Sequence, residues 1–185
     1  MNEFETLEGR NQQFAARLST AGTLMPSLSD ALPHVKAIII GCADMRVDPA
    51  QLLQLKPGEA VVMRNIGGRI TPGLLAQLGM LGRISEVEDK VPGGGAEFHV
   101  VVLQHTDCGI KRLSNDPALL MQYFEVSESA LTSRSVLDPR EAVVTDVAAL
   151  RAVPGLPGEW LVSGLVYDVQ TGLVETVVPP IAIAS

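Results

Sequence analysis

Two short clusters gather side chains suited to metal and acid–base chemistry. They are Gly41-Cys42-Ala43-Asp44-Met45-Arg46 and His105-Thr106-Asp107-Cys108-Gly109. Between them they contain both cysteines of the chain and one of its three histidines. Two thiols and an imidazole form the Cys₂His set that binds zinc in catalytic sites, with a fourth position left for water. Both cysteines are used by one such site. Plainer readings stay open on the residues alone, since buried cysteines commonly act as small hydrophobes and a Cys42–Cys108 disulfide is a further alternative. Neither accounts for the Asp, Arg and His beside them. Asp44, two residues past Cys42, is placed to accept a hydrogen bond from a zinc-held hydroxide. Arg46 is placed to grip that carboxylate in a two-pronged bond. The alternatives are a helix N-cap for Asp44 and a surface ion pair for Arg46.

Each cluster follows a short apolar run. Val35-Lys36-Ala37-Ile38-Ile39-Ile40-Gly41 and Phe98–Leu103 are nearly continuous and rich in β-branched residues, as in strands buried on both faces of a parallel sheet. Glu59–Arg64 predicts another strand, with a tight turn at Asn65-Ile66-Gly67-Gly68. In open parallel sheets ligands bind beyond the carboxyl ends of the strands, so both clusters are expected to meet in one crevice. Pro49 precedes a short helix over Ala50–Leu55. Pro72 opens a longer one to about Ile84, with Leu74, Leu75, Leu78 and Leu81 on one face. Residues 111–153 read as mostly helical, interrupted near Asp138-Pro139. Trp160–Asp168 and Leu173–Val178 flank Gln170-Thr171-Gly172 as a hairpin. The expected fold is therefore α/β, a central mostly parallel β-sheet flanked by helices with an antiparallel edge strand or hairpin at the C-terminus. One domain is expected over residues 1–185. Residues 1–20 carry Phe4, Leu7, Phe14 and Leu18 at a helical but broken spacing weakened by Gly9. They read as an arm that packs on something outside its own core.

Composition narrows the function classes. Of the 185 residues, 46% are hydrophobic and 19% charged, which excludes a disordered chain. A net charge of −7 argues against nucleic-acid binding, which needs a basic face to neutralise phosphates. The apolar runs fall far short of the ~18 residues of a membrane span, and no membrane partner is expected. The acidic start Met1-Asn2-Glu3-Phe4-Glu5 lacks the features of a signal peptide, so a cytoplasmic location is expected.

Taken in order, the motifs resemble those of the β-class carbonic anhydrases. The pattern C-x-D-x-R stands as Cys42-Ala43-Asp44-Met45-Arg46, R-N-x-G as Arg64-Asn65-Ile66-Gly67, and H-x-x-C-G as His105-Thr106-Asp107-Cys108-Gly109. The His-Thr-Asp-Cys-Gly form is similar to that of the shorter microbial members. The resemblance is dense from Val35 to Gly109, and beyond it only the terminal hairpin agrees in kind. It implies Zn²⁺ held by Cys42, His105 and Cys108, with Asp44 and Arg46 as the catalytic pair. It implies zinc-bound hydroxide attacking CO₂ to give bicarbonate and a proton. It also implies a homodimer or higher homo-oligomer, with the N-terminal arm embracing a neighbour and the site near the subunit interface. Relatives use the same chemistry on carbonyl sulfide or carbon disulfide, which makes those the alternative substrates. A non-catalytic zinc protein is the third reading.

Some positions depart from the family pattern. Plant-type members carry a glutamine nine positions before the first cysteine, where this chain has Pro33; Ile66 and Ile110 replace a common alanine and glycine. These bear on the substrate pocket and leave the metal ligands intact. Arg64 is expected to brace the crevice, and Gly67 to supply a positive-φ turn or a close backbone approach. Asp107 reads as a turn-capping carboxylate, His99 as a satisfied non-ligand histidine, and His34 as a surface residue. Gly93-Gly94-Gly95 resembles no phosphate loop, because no Gly-Lys-Ser/Thr follows.

Overall fold

The β-branched runs do form the centre of the molecule. A computed structural model describes residues 2–183; Met1, Ala184 and Ser185, the ends of the expected 1–185 domain and the first residue of the arm, lie outside the described residues. The chain runs α1 (Glu3–Ala21), α2 (Leu28–Ala31), β1 (Ala37–Cys42), α3 (Pro49–Leu52), β2 (Ala60–Asn65), α4 (Pro72–Val87) and β3 (His99–His105). It continues through α5 (Pro117–Phe124), α6 (Glu128–Leu131), α7 (Pro139–Arg151), β4 (Leu161–Tyr167) and β5 (Val174–Ala182), with single 3₁₀ turns between several of these. No helix among the described residues is long and apolar enough to cross a membrane.

The five strands form one sheet in the order β2-β1-β3-β4-β5. All neighbours are parallel except β4 and β5, which pair antiparallel. This is the α/β architecture expected. Because β2 and β3 lie on opposite sides of β1, the chain reverses direction across the sheet at the carboxyl ends of β1 and β3. Such a switch point opens a crevice. Register sets Gly41 opposite Leu103, so Cys42 and His105 emerge side by side from adjacent strands.

One large cluster supports these strands. Ile38 and Ile40 of β1, Val100 and Val102 of β3, and Val162 and Val166 of β4 pack with Leu74 and Leu78 of α4 and with Val143, Val147 and Leu150 of α7. At about 25 cal/mol per Å² of apolar area removed from water, each such side chain contributes roughly 1.5–3 kcal/mol. Local signals start both helices: Thr71 accepts from Leu74 N ahead of Pro72, and Asp138 accepts from Arg140 N ahead of Pro139. A smaller cluster of Ile110, Leu120 and Phe124 lies beneath the loop that follows β3.

Several boundaries differ from expectation. Helix α1 is unbroken through Gly9, with a reciprocal Asn2–Glu5 capping box and Gly22 closing it at φ 65°. A helical glycine costs only about 1 kcal/mol, which end-capping offsets. No residue of α1 is buried. Helix α3 ends early, because Gln54 turns the chain at φ 52°. Helix α4 runs on to Val87. Strand β3 extends through Gln104 and His105, held in pairing with β4 as far as Tyr167. The 111–153 region is also broken at Glu125, which adopts φ 52°. Strand β5 continues past Val178 through Pro179 and Pro180, which is allowed because it is an edge strand with one row of unpaired backbone groups.

Candidate metal centre

Cys42 ends β1, His105 ends β3, and Cys108 follows in the loop beyond. Their ligating atoms all lie within 4.8 Å of one another. The two sulfurs are 3.6 Å apart and both cysteines are free, far beyond the ~2.05 Å of a disulfide. A zinc ion with Zn–S bonds of ~2.3 Å in tetrahedral geometry needs its sulfurs ~3.8 Å apart, close to the spacing seen. His105 Nδ1 donates to the Thr106 carbonyl at 2.8 Å. That bond fixes the tautomer and leaves Nε2 as a lone pair, buried and without a hydrogen-bond partner. A buried polar nitrogen is costly to leave unpaired, and metal ligation satisfies it in the way histidine ligands usually are oriented. The residues fit a divalent metal that prefers sulfur and nitrogen.

The backbone prepares Cys42 to carry charge. Its sulfur accepts from Gly67 N–H at 3.3 Å and from Asp44 N–H at 3.4 Å. Gly67 reaches it from a turn at φ 81°, as expected. Gly68 packs so close that a Cβ there would lie 2.9 Å from Cys42 N, so only glycine fits. Hydrogen bonding from Cys108 draws the Cys42 thiol well below its ordinary range, and the same contact, with burial, drives Cys108 well above. The two thiols are thus pushed apart, Cys42 toward the thiolate and Cys108 toward the protonated form. Burial works against a charged His105, but the Cys42 sulfur, the Thr106 carbonyl and the Asp44 carboxylate together outweigh it and move the imidazole upward.

Asp44 does not cap a helix; Asp48 caps α3 instead. Asp44 Oδ1 accepts from Arg46 N at 2.9 Å and Nε at 3.0 Å, and Oδ2 accepts from Nη2 at 2.7 Å. This is a two-pronged bond on top of a tight turn, and it holds the Asp44 carboxyl well below the usual carboxylate range. Oδ2 also lies 3.9 Å from His105 Nε2, which sets the carboxylate against the ligand cluster. Arg46 is not merely a surface ion-pair partner, for it also reaches the second cluster. Its Nη1 donates to Asp107 Oδ2 and its Nη2 to the Asp107 carbonyl, both at 2.9 Å. Asp107 is therefore no turn cap. It adopts φ 51°, which Asp tolerates better than most residues, and its other carboxylate oxygen accepts from Arg112 Nη2 at 3.0 Å.

Arg64 braces the crevice as expected, donating from Nε to the Cys42 carbonyl at 2.8 Å and from Nη2 to the Asp44 carbonyl at 2.7 Å. Behind the site lies a buried network that the sequence reading missed. Arg69 Nε donates to Asp146 Oδ2 at 2.6 Å, and Gln104 Nε2 donates to the same oxygen at 2.8 Å. The residues flanking Gly67–Gly68 and preceding His105 are thus tied to α7. A signal existed: Ala142, Val143, Asp146, Val147 and Leu150 share the buried face of α7, and an acid at such a position needs a partner. Tyr123 also went unread; its hydroxyl donates to the Ile66 carbonyl at 2.7 Å.

The remaining positions stand apart. His99 bonds Glu97 at 2.9 Å at the far end of β3, and His34 is exposed. Pro33 precedes β1, at the end of the strand opposite Cys42, so it does not line this chain's own site. A cleft of ≈ 150 Å³ borders His105 and Cys108, lined in part by Gln104, Thr106, Ile110 and Leu137. That is below the ~300 Å³ of drug-sized pockets and suits a molecule of few atoms.

Comparison with known proteins agrees with this geometry. A family model described as carbonic anhydrase matches residues 37–121, the span holding all three proposed ligands. Carbonic anhydrase of Pseudomonas aeruginosa is 32% identical over 162 residues, covering 76% of this chain and 72% of that protein. Beta-carbonic anhydrase 1 of Mycobacterium bovis is 26% identical over 148 residues, covering 80% of this chain and 85% of that protein. Carbon disulfide hydrolase of Acidianus sp. is 24% identical over 173 residues, covering 76% and 80%. The crystal structure of carbonic anhydrase from Streptococcus mutans superposes with a TM-score of 0.67 at 30% identity, covering 96% of this chain and 98% of that one. With its ordered motifs gathered at one switch point and relatives matched over most of their length, the chain belongs to the β-carbonic anhydrase family.

Proposed function

We propose that this chain is a zinc enzyme that interconverts CO₂ and water with bicarbonate and a proton. The observation that carries the reading is the convergence of two thiols and the unpaired His105 Nε2 within 4.8 Å, with Asp44 Oδ2 beside them. Cys42, His105 and Cys108 would hold the metal. Bound zinc supplies a Lewis acid that makes water a nucleophile near neutral pH. Asp44 accepts a hydrogen bond at Oδ2 and so orients that nucleophile. Because Arg46 stabilises its charged form, Asp44 is a weak base; it positions and does not take the proton. Asp44 is turned onto Arg46, so the site offers three protein ligands, which supports a catalytic metal over a structural one closed by four.

A second reading, hydrolysis of carbon disulfide or carbonyl sulfide by the same centre, is favoured by the carbon disulfide hydrolase among the relatives. A homo-oligomer also forms part of the proposal. Helix α1 has no buried residue, and Phe4, Leu7 and Phe14 are exposed along it, the condition of a helix that docks on a second subunit.

Metal analysis with parallel assays of CO₂ hydration and carbon disulfide hydrolysis tests the proposal. About one zinc per chain is expected, with loss of most of it in Cys42→Ser and Cys108→Ser. CO₂ hydration should dominate. Full zinc in either variant would overturn the ligand assignment, and carbon disulfide turnover without CO₂ turnover would favour the second reading.

A further inference from the structure

Arg46 is held from both sides. Nε and Nη2 face Asp44 at the end of β1, while Nη1 and Nη2 reach the side chain and carbonyl of Asp107 in the loop after β3. The side chains of Arg46 and Asp107 are about half exposed, 45% and 52%. An exposed ion pair alone contributes little, so Asp44 would hold a free-swinging Arg46 weakly. The second carboxylate changes this, because a guanidinium already fixed in place gives up little side-chain entropy when Asp44 binds its other edge. Arg112 fixes Asp107 in turn, and the αL backbone at Asp107 turns its carbonyl toward Arg46 as well.

Asp44 has one other partner within reach. Its Oδ2 stands 3.9 Å from His105 Nε2, and a carboxylate oxygen is a zinc ligand in its own right. Asp44 thus has two competing destinations, Arg46 and the metal. We propose that Asp107 is a positioning residue that anchors Arg46, keeps Asp44 paired with it, and so holds the fourth position on the metal open to small external ligands. This rests on the zinc-enzyme reading above. Asp107 is not one of the proposed ligands, and its carboxylate bonds Arg46 and Arg112, so it acts through Arg46.

The test uses protein loaded with cobalt(II) in place of zinc, with azide as the external ligand followed by visible absorption. If Asp44 occupies the metal in part of the population, apparent azide affinity falls by the fraction of open sites. Asp107→Gly removes the carboxylate while allowing the αL backbone and the carbonyl contact. It should bind cobalt at the wild-type stoichiometry yet bind azide about tenfold more weakly, the low end of what outer-shell partners of a metal contribute. Asp107→Asn, which keeps both an αL-tolerant backbone and an acceptor for Nη1, should recover most of the affinity. In an Asp44→Asn background, removal of Asp107 should have little further effect, because the competing carboxylate is gone. Unchanged azide affinity in Asp107→Gly, or an equal loss in the Asp44→Asn background, would overturn the proposal. Wild-type protein that takes up no cobalt, or whose cobalt spectrum does not respond to azide, would instead overturn the metal-site reading itself.

Discussion

Arg64 reaches from β2 to the main-chain oxygen of Cys42, donating from Nε at 2.8 Å across neighbouring parallel strands. With its second bond to the Asp44 carbonyl, the guanidinium sets the backbone of the proposed ligand Cys42 and of Asp44 together. Arg64→Lys keeps the charge but cannot span both oxygens with a planar fork. Zinc affinity should fall by about 10–100-fold, measured by competition with a chelator. Unchanged affinity would mean that strand pairing alone positions Cys42.

Asp44→Asn separates an orienting role from a turn-forming one. Asn accepts the Arg46 backbone N–H as well as Asp does, so the turn should persist. Its amide lacks the charged second oxygen that Arg46 grips and the nucleophile needs. Turnover should drop by at least about 10–100-fold with full metal content. Arg46→Ala should be similarly inactive, with Asp44 moved onto the metal. Stopped-flow CO₂ hydration and metal analysis decide it, and near-wild-type rates in Asp44→Asn would return the pair to a structural role.

Asp146 is fully buried, accepts from both Arg69 and Gln104, and is the only carboxylate paired with Arg69 among the described residues. Asp146→Ala leaves a guanidinium buried without its counter-charge. Urea denaturation should show a loss of about 3–5 kcal/mol, whereas the double change Arg69→Met with Asp146→Leu should recover most of it. A loss below about 1 kcal/mol in the single variant would show that Arg69 finds solvent instead.

The metal-free protein should carry one thiolate per chain at neutral pH, seen by ultraviolet absorbance. Cys42 is drawn below its ordinary value and Cys108 driven above it. Between the lowered Cys42 value and the ordinary thiol value, the unfolded chain binds the extra proton, so folded stability should rise with pH. Above the ordinary value, Cys108 reverses the sign. A metal-free chain whose two thiols titrate together near the ordinary value would contradict this split.

Deleting residues 1–20 removes most of α1, whose side chains contribute nothing to the buried core. The fold should survive, with little change in far-ultraviolet signal beyond the lost helix. Light scattering should shift the species toward monomer. A full-length protein that is already monomeric would remove the docking role of α1.

Residue type and local pattern pointed to a metal site and to the sheet. Two thiols and an imidazole have few uses together, and each cluster follows a short β-branched run that fits a buried strand. Parallel pairing then brings the carboxyl ends of such strands into one crevice, so Cys42 and His105 were legible 63 positions apart. The continuity of α1 was less legible, because Gly9 weighs against a helix locally while the Asn2–Glu5 box and Gly22 act at its ends. What the tertiary structure alone decided is the set of partners. Asp107 read as a turn cap because its neighbours in sequence allow one; only the separation of the loops after β1 and β3 brings Arg46 within 2.9 Å of it. Asp146 and Arg69 are 77 residues apart, and no local period encodes which buried acid meets which buried base. Strand and helix patterns come from short-range sterics and burial, whereas charged pairings depend on loop geometry and register summed over the whole fold.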